Sequence, residues 1–167
     1  AQHGRRGANM QTLRVDHPDI EKFIEIKTGD VDMVKYSNIS VLLTDEFMDA
    51  VQSDSDFDLH WGGKKYSTVK AKDLWMKIIE HAHSSAEPGL LFWDTMTKYH
   101  NAEYCSPLVS TNPCAEQPLP DGGCCNLGAL NLERFVDQDG NFDFDGFKET
   151  TAVGARFLDN VIDYNLD

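Results

Sequence analysis

Hydrophobic and polar positions along the chain change period several times, and each change marks an element. In "HPDIEKFIEIK" the apolar residues Ile20, Phe23 and Ile24 share one helical face, Pro18 suits a first helical position, and Gly29 follows as a stop signal. "SNISVLL" (Ser37–Leu43) is a short run, apolar toward its end, and predicts a buried strand. Thr44 then stands as an N-cap, with acids in the first turn of "TDEFMDAVQ". "FDLHW" and "KKYSTV" read as a hairpin around Gly62-Gly63. "KAKDLWMKIIEHAHSS" predicts a strong helix with Leu74, Ile78 and Ala82 on one face, and "GLLFW" a short strand after Pro88-Gly89. From Asn101 to Gly123 the chain is rich in loop residues and predicts no regular structure. "CNLGALNL" reads as a strand returning to the core, and "VDQDGNFDF" as a hairpin turned at Asp139-Gly140. A last helix carries Val153, Phe157, Leu158, Val161 and Ile162 at helical spacing.

Helices alternating with strands give an α/β fold. A length of 167 residues fits a single domain with a real core. The chain opens in a Gly/Arg loop without a preceding strand and stops with nothing to pack over its last helix, so residues 1–167 are expected to be one piece of a larger α/β domain, incomplete at both ends.

Composition narrows the function. Apolar residues make up 41% and charged residues 26%, an ordinary globular balance. No apolar run approaches the roughly 18 residues of a membrane span, and the opening ten residues lack the apolar core of a signal peptide. A net charge of -13 argues against a general DNA, RNA or membrane surface. Phosphate contact must then be local, and "GRRGA" is the basic spot able to provide it. Four cysteines are too sparse for a secreted disulfide scaffold, which places the protein in the cytoplasm, where clustered cysteines are catalytic or metal-binding.

Three of those four cysteines fall in "STNPCAEQPLPDGGCC". Pro113 and Pro118 stiffen the loop on either side of Cys114 and Glu116. Extended backbone would send Asn112, Cys114 and Glu116 to one side, and a thiol, a carboxylate and an amide together can work on a polyhydroxyl substrate. Cys125 follows beyond a Gly-Gly turn, where a returning strand could bring it beneath the loop as a second redox sulfur. The residues also admit plainer readings. Cys114 could be a small buried hydrophobe. Cys105, Cys114, Cys124 and Cys125 could bind zinc, although the paired C-x(2–4)-C knuckles of structural sites are missing. "DQDGNFDFDG" fails as a calcium loop, with Phe142 where Gly is required and Lys148 where Glu is required. His81 and His83 face apart on their helix as surface or packing residues.

The segment "STNPCAEQPLPDGGCCNLGALNL" resembles the finger-loop region of the catalytic (large) subunit of ribonucleotide reductases. "NPC-x-EQPLP" followed by "CNLG" is most similar to the adenosylcobalamin-dependent class II enzymes. "RRGANMQTLRVDHPDIEKFIEIK", "NISVLLTDEFMDAV" and "GLLFWD" match the family pattern in order, so the resemblance covers nearly the whole chain. It implies part of a ten-stranded α/β barrel with the finger loop threading its centre. It also implies reduction of ribonucleotides to deoxyribonucleotides through a thiyl radical. Cys114 would carry the radical, Glu116 would be the base at the 3′ hydroxyl, Asn112 would bond the substrate hydroxyls, and Cys125 would be one of two reducing thiols. The resemblance gives no role to Cys124 or Cys105. Arg5, Arg6, Gly7 and Ala8 would end the loop that links effector and substrate base. The implied cofactor is adenosylcobalamin, bound mostly outside this chain. The implied partners are a ribonucleoside di- or triphosphate, a deoxynucleotide effector, a thioredoxin-type reductant and a second copy of the full enzyme. The second reducing cysteine lies upstream in the family, so the isolated chain is not expected to turn over. A thiol-based redox or zinc module, and an inactive fragment, stay as alternatives.

Overall fold

A computed structural model describes residues 7–28, 34 and 36–165. The first elements are β1 (Asn9–Arg14), α1 (Ile20–Glu25), β2 (Ser37–Leu43), α2 (Asp45–Gln52), β3 (Asp56–Trp61), β4 (Lys64–Lys70) and α3 (Ala71–Ser85). They are followed by β5 (Gly89–Phe92), α4 (Trp93–Tyr99), β6 (Leu108–Thr111), β7 (Pro118–Pro120), a 3₁₀ turn (Leu132–Phe135) and α5 (Phe144–Tyr164). The chain divides into two compact units, residues 1–123 and 124–167.

In the first unit β2 is the centre of a parallel sheet ordered β1-β2-β5, a mixed α/β arrangement that forms no closed barrel among the described residues. Alternation along β2 sends successive side chains to opposite faces. Val41 and Leu43 join a core with Val15, Ile20, Ile24, Phe47, Leu74 and Ile78, contributed largely by α1, α2 and α3. Leu42 joins a smaller cluster with Leu91, Trp93 and Leu108. Helices α1, α2 and α3 therefore cover one face of the sheet, and α4 together with the segment beginning at β6 covers the other. Phe47 is fully buried and meets Phe57 edge-on at 5.1 Å between ring centroids. Truncating such a ring to alanine costs about 3–5 kcal/mol.

Local chemistry explains the elements. Thr44 caps α2 by accepting the Phe47 N–H at its hydroxyl, 3.2 Å away. Gly62 and Gly63 both have positive φ, as the tight turn between β3 and β4 requires. Lys77 of α3 reaches Glu21 and Glu25 of α1 at 3.0 and 2.7 Å. At Gly89, a Cβ would lie 2.6 Å from the Ser40 hydroxyl oxygen, so glycine lets β5 close on β2.

Four expectations need correction. Pro18 is not the first helical residue: the Asp19 and Ile20 N–H groups bond the His17 ring nitrogen and carbonyl in a preceding turn, and α1 starts at Ile20 (Gly29 lies outside the described residues). The strand "GLLFW" ends at Phe92, because Trp93 already begins α4. The stretch from Asn101 to Gly123 is not structureless: β6 and β7 pair within it as an antiparallel hairpin. "CNLGALNL" forms no strand. Residues 124–131 instead run irregularly, with the Asn126 side chain donating to the Leu158 carbonyl of α5 and Gly128 close to the Leu158 side chain. That segment packs against a helix rather than pairing with a strand.

In the second unit, Val136 and Phe142 form a single antiparallel bridge around Gly140, as the Asp139-Gly140 turn predicts. The Asp137 carboxylate accepts the N–H groups of Asp139 and Asn141. These bonds, those from Asn141 first, hold Asp137 below the usual carboxylate range. The last helix forms as predicted, but Val153, Phe157 and Ile162 on its apolar side are exposed.

Candidate functional site

The β6–β7 hairpin ends in a six-residue tip, Asn112–Gln117. The Asn112 N–H donates to the Gln117 carbonyl at 3.1 Å, and the Asn112 Oδ1 accepts the Gln117 N–H at 3.0 Å. Inside that clasp, the Ala115 N–H donates to the Asn112 carbonyl at 3.0 Å. Ala115 adopts φ +68°, a left-handed geometry uncommon outside glycine. Its methyl packs on the Leu42, Leu91, Trp93 and Leu108 cluster, which compensates for that geometry.

The three residues singled out by alternation thus lie on one tip, but not along an extended strand. Turn geometry at residues 113–117 replaces the expected pleat. Cys114 and Glu116 are exposed and Asn112 is half-buried. The Cys114 thiol is free and open to approach. Asn112 has committed its Oδ1 to the clasp, and its Nδ2 remains the donor it can offer a substrate.

Two polar contacts seat the hairpin on the sheet. The Asn38 Nδ2 of β2 donates to the Pro113 carbonyl, and the Thr12 hydroxyl of β1 meets the Ser110 hydroxyl at 3.4 Å. Sequence reasoning missed both, since Asn38 and Pro113 are 75 residues apart. The available signal was an amide among small and apolar residues: Asn38 is the exposed position of a strand whose other residues are all buried.

The remaining candidates belong to other segments of the chain. Cys105 is exposed in a turn, its thiol donating to the Ala102 carbonyl at 3.5 Å. Cys124 and Cys125 are free and exposed, in the irregular start of the second unit. Without a strand there, no pleat directs the two thiols to opposite faces. Gly7 and Ala8 are exposed and irregular, while Arg5 and Arg6 lie outside the described residues. Among the described residues, no group of three or more His, Cys, Asp or Glu side chains is arranged to hold a metal ion.

A cofactor that generates a thiyl radical needs a thiol it can approach. The exposed, unbonded Cys114 on a held tip fits that requirement. The family model "Ribonucleotide reductase, barrel domain" matches residues 1–167. The chain is 41% identical over 163 residues to a vitamin B12-dependent ribonucleoside-diphosphate reductase of Thermoplasma acidophilum, covering 96% of this chain and 21% of that protein. A Mycobacterium tuberculosis (strain H37Rv) protein of the same name is 38% identical over 164 residues, covering 95% of this chain and 23% of that protein. A vitamin B12-dependent ribonucleotide reductase of Rhodopirellula baltica is 34% identical over 170 residues, covering 86% and 16%. The chain spans about a fifth of the length of these relatives.

Proposed function

The chain belongs to the ribonucleotide reductase barrel-domain family, and from that premise we propose that residues 1–167 are one piece of a larger catalytic barrel that reduces ribonucleotides with adenosylcobalamin. The observation that carries this reading is the tip bearing Asn112, Cys114 and Glu116, seated on the sheet face opposite α1, α2 and α3. We read that face as the inside of the barrel, since the resemblance implies a finger loop threading its centre. The vitamin B12-dependent names of the relatives support the cofactor.

When bound, adenosylcobalamin would supply the radical chemistry that accepts the hydrogen atom of the Cys114 thiol, leaving Cys114 as a thiyl. Cys114 then takes the hydrogen atom from C3′ of the ribose. Glu116 accepts the 3′ hydroxyl proton, and the Asn112 Nδ2 donates to a substrate hydroxyl. Loss of the 2′ hydroxyl as water is coupled to oxidation of two thiols to a disulfide. Cys125 is one of them, and the other comes from outside this chain. Return of the hydrogen atom from Cys114 to C3′ completes the balance of one ribonucleotide and two thiols to one deoxyribonucleotide, one water and one disulfide.

A thioredoxin-type reductant restores the dithiol, and Arg5, Arg6, Gly7 and Ala8 relay a deoxynucleotide effector to the substrate base. Two of the named relatives are diphosphate reductases, which favours a ribonucleoside diphosphate over a triphosphate. No helix among the described residues is long and apolar enough to cross a membrane. We place the enzyme in the cytoplasm, as a homodimer. The test is direct. Full-length protein with adenosylcobalamin, a dithiol and each ribonucleotide in turn should yield deoxynucleotide, and absence of product from every di- and triphosphate overturns the reading.

A further inference from the structure

We propose that Asn38 is a positioning residue for Cys114, an inference that rests on the radical role proposed for that thiol. The Asn38 side chain donates to the Pro113 carbonyl, which belongs to the peptide bond leading into Cys114. A carbonyl can only accept, so the amide must present its Nδ2. The donor is itself anchored. The neighbouring Ile39 N–H donates to the Glu87 Oε1 at 2.9 Å, two residues before β5 begins, and the Glu87 Oε2 pairs with Lys27. Glu87 thereby replaces a strand partner where β5 has not yet started, and it fixes the opening of β2.

On the tip side, the proline ring restricts φ at Pro113. The Ala115 N–H is bonded to Asn112, and the Ala115 methyl packs against the Leu42 cluster. The backbone on both sides of Cys114 is therefore held, with Asn38 supplying the tie to the sheet. A thiyl radical must meet one particular C–H bond, and displacement of a reacting group by about 1 Å can lower a rate on the order of 10²-fold.

The test uses the full-length protein with Asn38→Asp, which keeps the side-chain size and loses the donor, and with Asn38→Ala. Three readouts are compared: amide hydrogen exchange of residues 112–117, the alkylation rate of Cys114, and kcat against KM. Loss of one tie should speed tip exchange and alkylation by roughly five- to tenfold. It should lower kcat by roughly 10- to 100-fold with KM within about twofold of the parent. Unchanged exchange and unchanged kcat in Asn38→Asp, with Cys114→Ser inactive, overturn the positioning role and leave the radical assignment standing. A loss confined to KM assigns Asn38 to substrate binding and also overturns it. Faster tip exchange in Asn38→Asp together with an active Cys114→Ser overturns the radical assignment, and with it the catalytic half of the proposal.

Discussion

Asn112 and Gln117 bond twice, once backbone to backbone and once through the Asn112 Oδ1, closing the tip that carries Cys114. The asparagine is therefore a clasp, and the proposed mechanism also gives its Nδ2 a substrate hydroxyl. Asn112→Asp keeps the accepting oxygen and loses the Nδ2 donor. It should preserve slow amide exchange at Gln117 while weakening substrate use. Asn112→Ala should lose both. Equal turnover in the parent and in Asn112→Asp would remove Asn112 from substrate binding.

Cys114→Ser in the full-length protein should abolish reduction and leave nucleotide binding nearly intact. The serine O–H bond is stronger than S–H, so the oxygen radical would not form reversibly. Deoxynucleotide formation by this variant, measured by chromatography of the products, would end the radical assignment.

Glu116→Gln retains the shape of the side chain and removes the base. The rate should fall by roughly 10²–10⁴-fold, the range of general acid–base groups. Hydrogen exchange dependent on the cofactor should persist, because it reports radical formation rather than reduction. A steady-state rate within about twofold of the parent would take Glu116 out of the mechanism.

Cys125→Ser should stop multiple turnover, because the active-site disulfide can no longer form, whereas Cys124→Ser should turn over nearly as the parent does. Both thiols are free and exposed, and no pleat separates them, so the assignment rests on the "CNLG" motif alone. Single-turnover against multiple-turnover yields decide it. If Cys124→Ser is the variant that stalls, the two roles must be exchanged.

Lys77 ties α3 to α1 through Glu25 and Glu21. The Lys77 hydrogen bond holds Glu25 below its ordinary value, and the same bond raises Lys77. A lowered acid contributes stability that is complete above its unfolded value, about 4.3, and is lost as pH falls through its folded value. A raised lysine contributes stability that is complete below about 10.4 and is lost as pH rises through its folded value. Lys77→Ala should therefore reduce α1 amide protection near neutral pH by an amount worth about 0.2–1 kcal/mol, as for solvent-screened pairs. The difference from the parent should fade in acid and in high salt. A difference independent of pH would show that packing of the lysine stem, and not its charge, is what matters.

The parts legible in the sequence are those whose causes are local. β2 ends where Thr44 caps α2, and β3 turns into β4 where two glycines accept positive φ. The hairpin of the tip was hidden because Pro118 and Pro120 bound β7 and disguise it as a loop. "CNLGALNL" has strand-like residues but lies along α5, and only tertiary context sets that choice. The identities of Cys114, Glu116 and Asn112 stood out in the sequence. Their turn geometry did not, because it depends on Ala115 in the left-handed region and on Asn38 from a distant strand.

The alternation of β2 has a consequence for engineering. Val41 and Leu43 look toward the helices, and Asn38 and Leu42 look toward the tip. Changes at Val41 and Leu43 should act on the melting of the scaffold, changes at Leu42 on both the scaffold and the seat of the tip, and changes at Asn38 on the hold over the Cys114 tip alone. One strand thus serves two packed faces, and because Leu42 is buried in the cluster under the tip, a library built on β2 can vary Asn38 while the apolar positions are held constant.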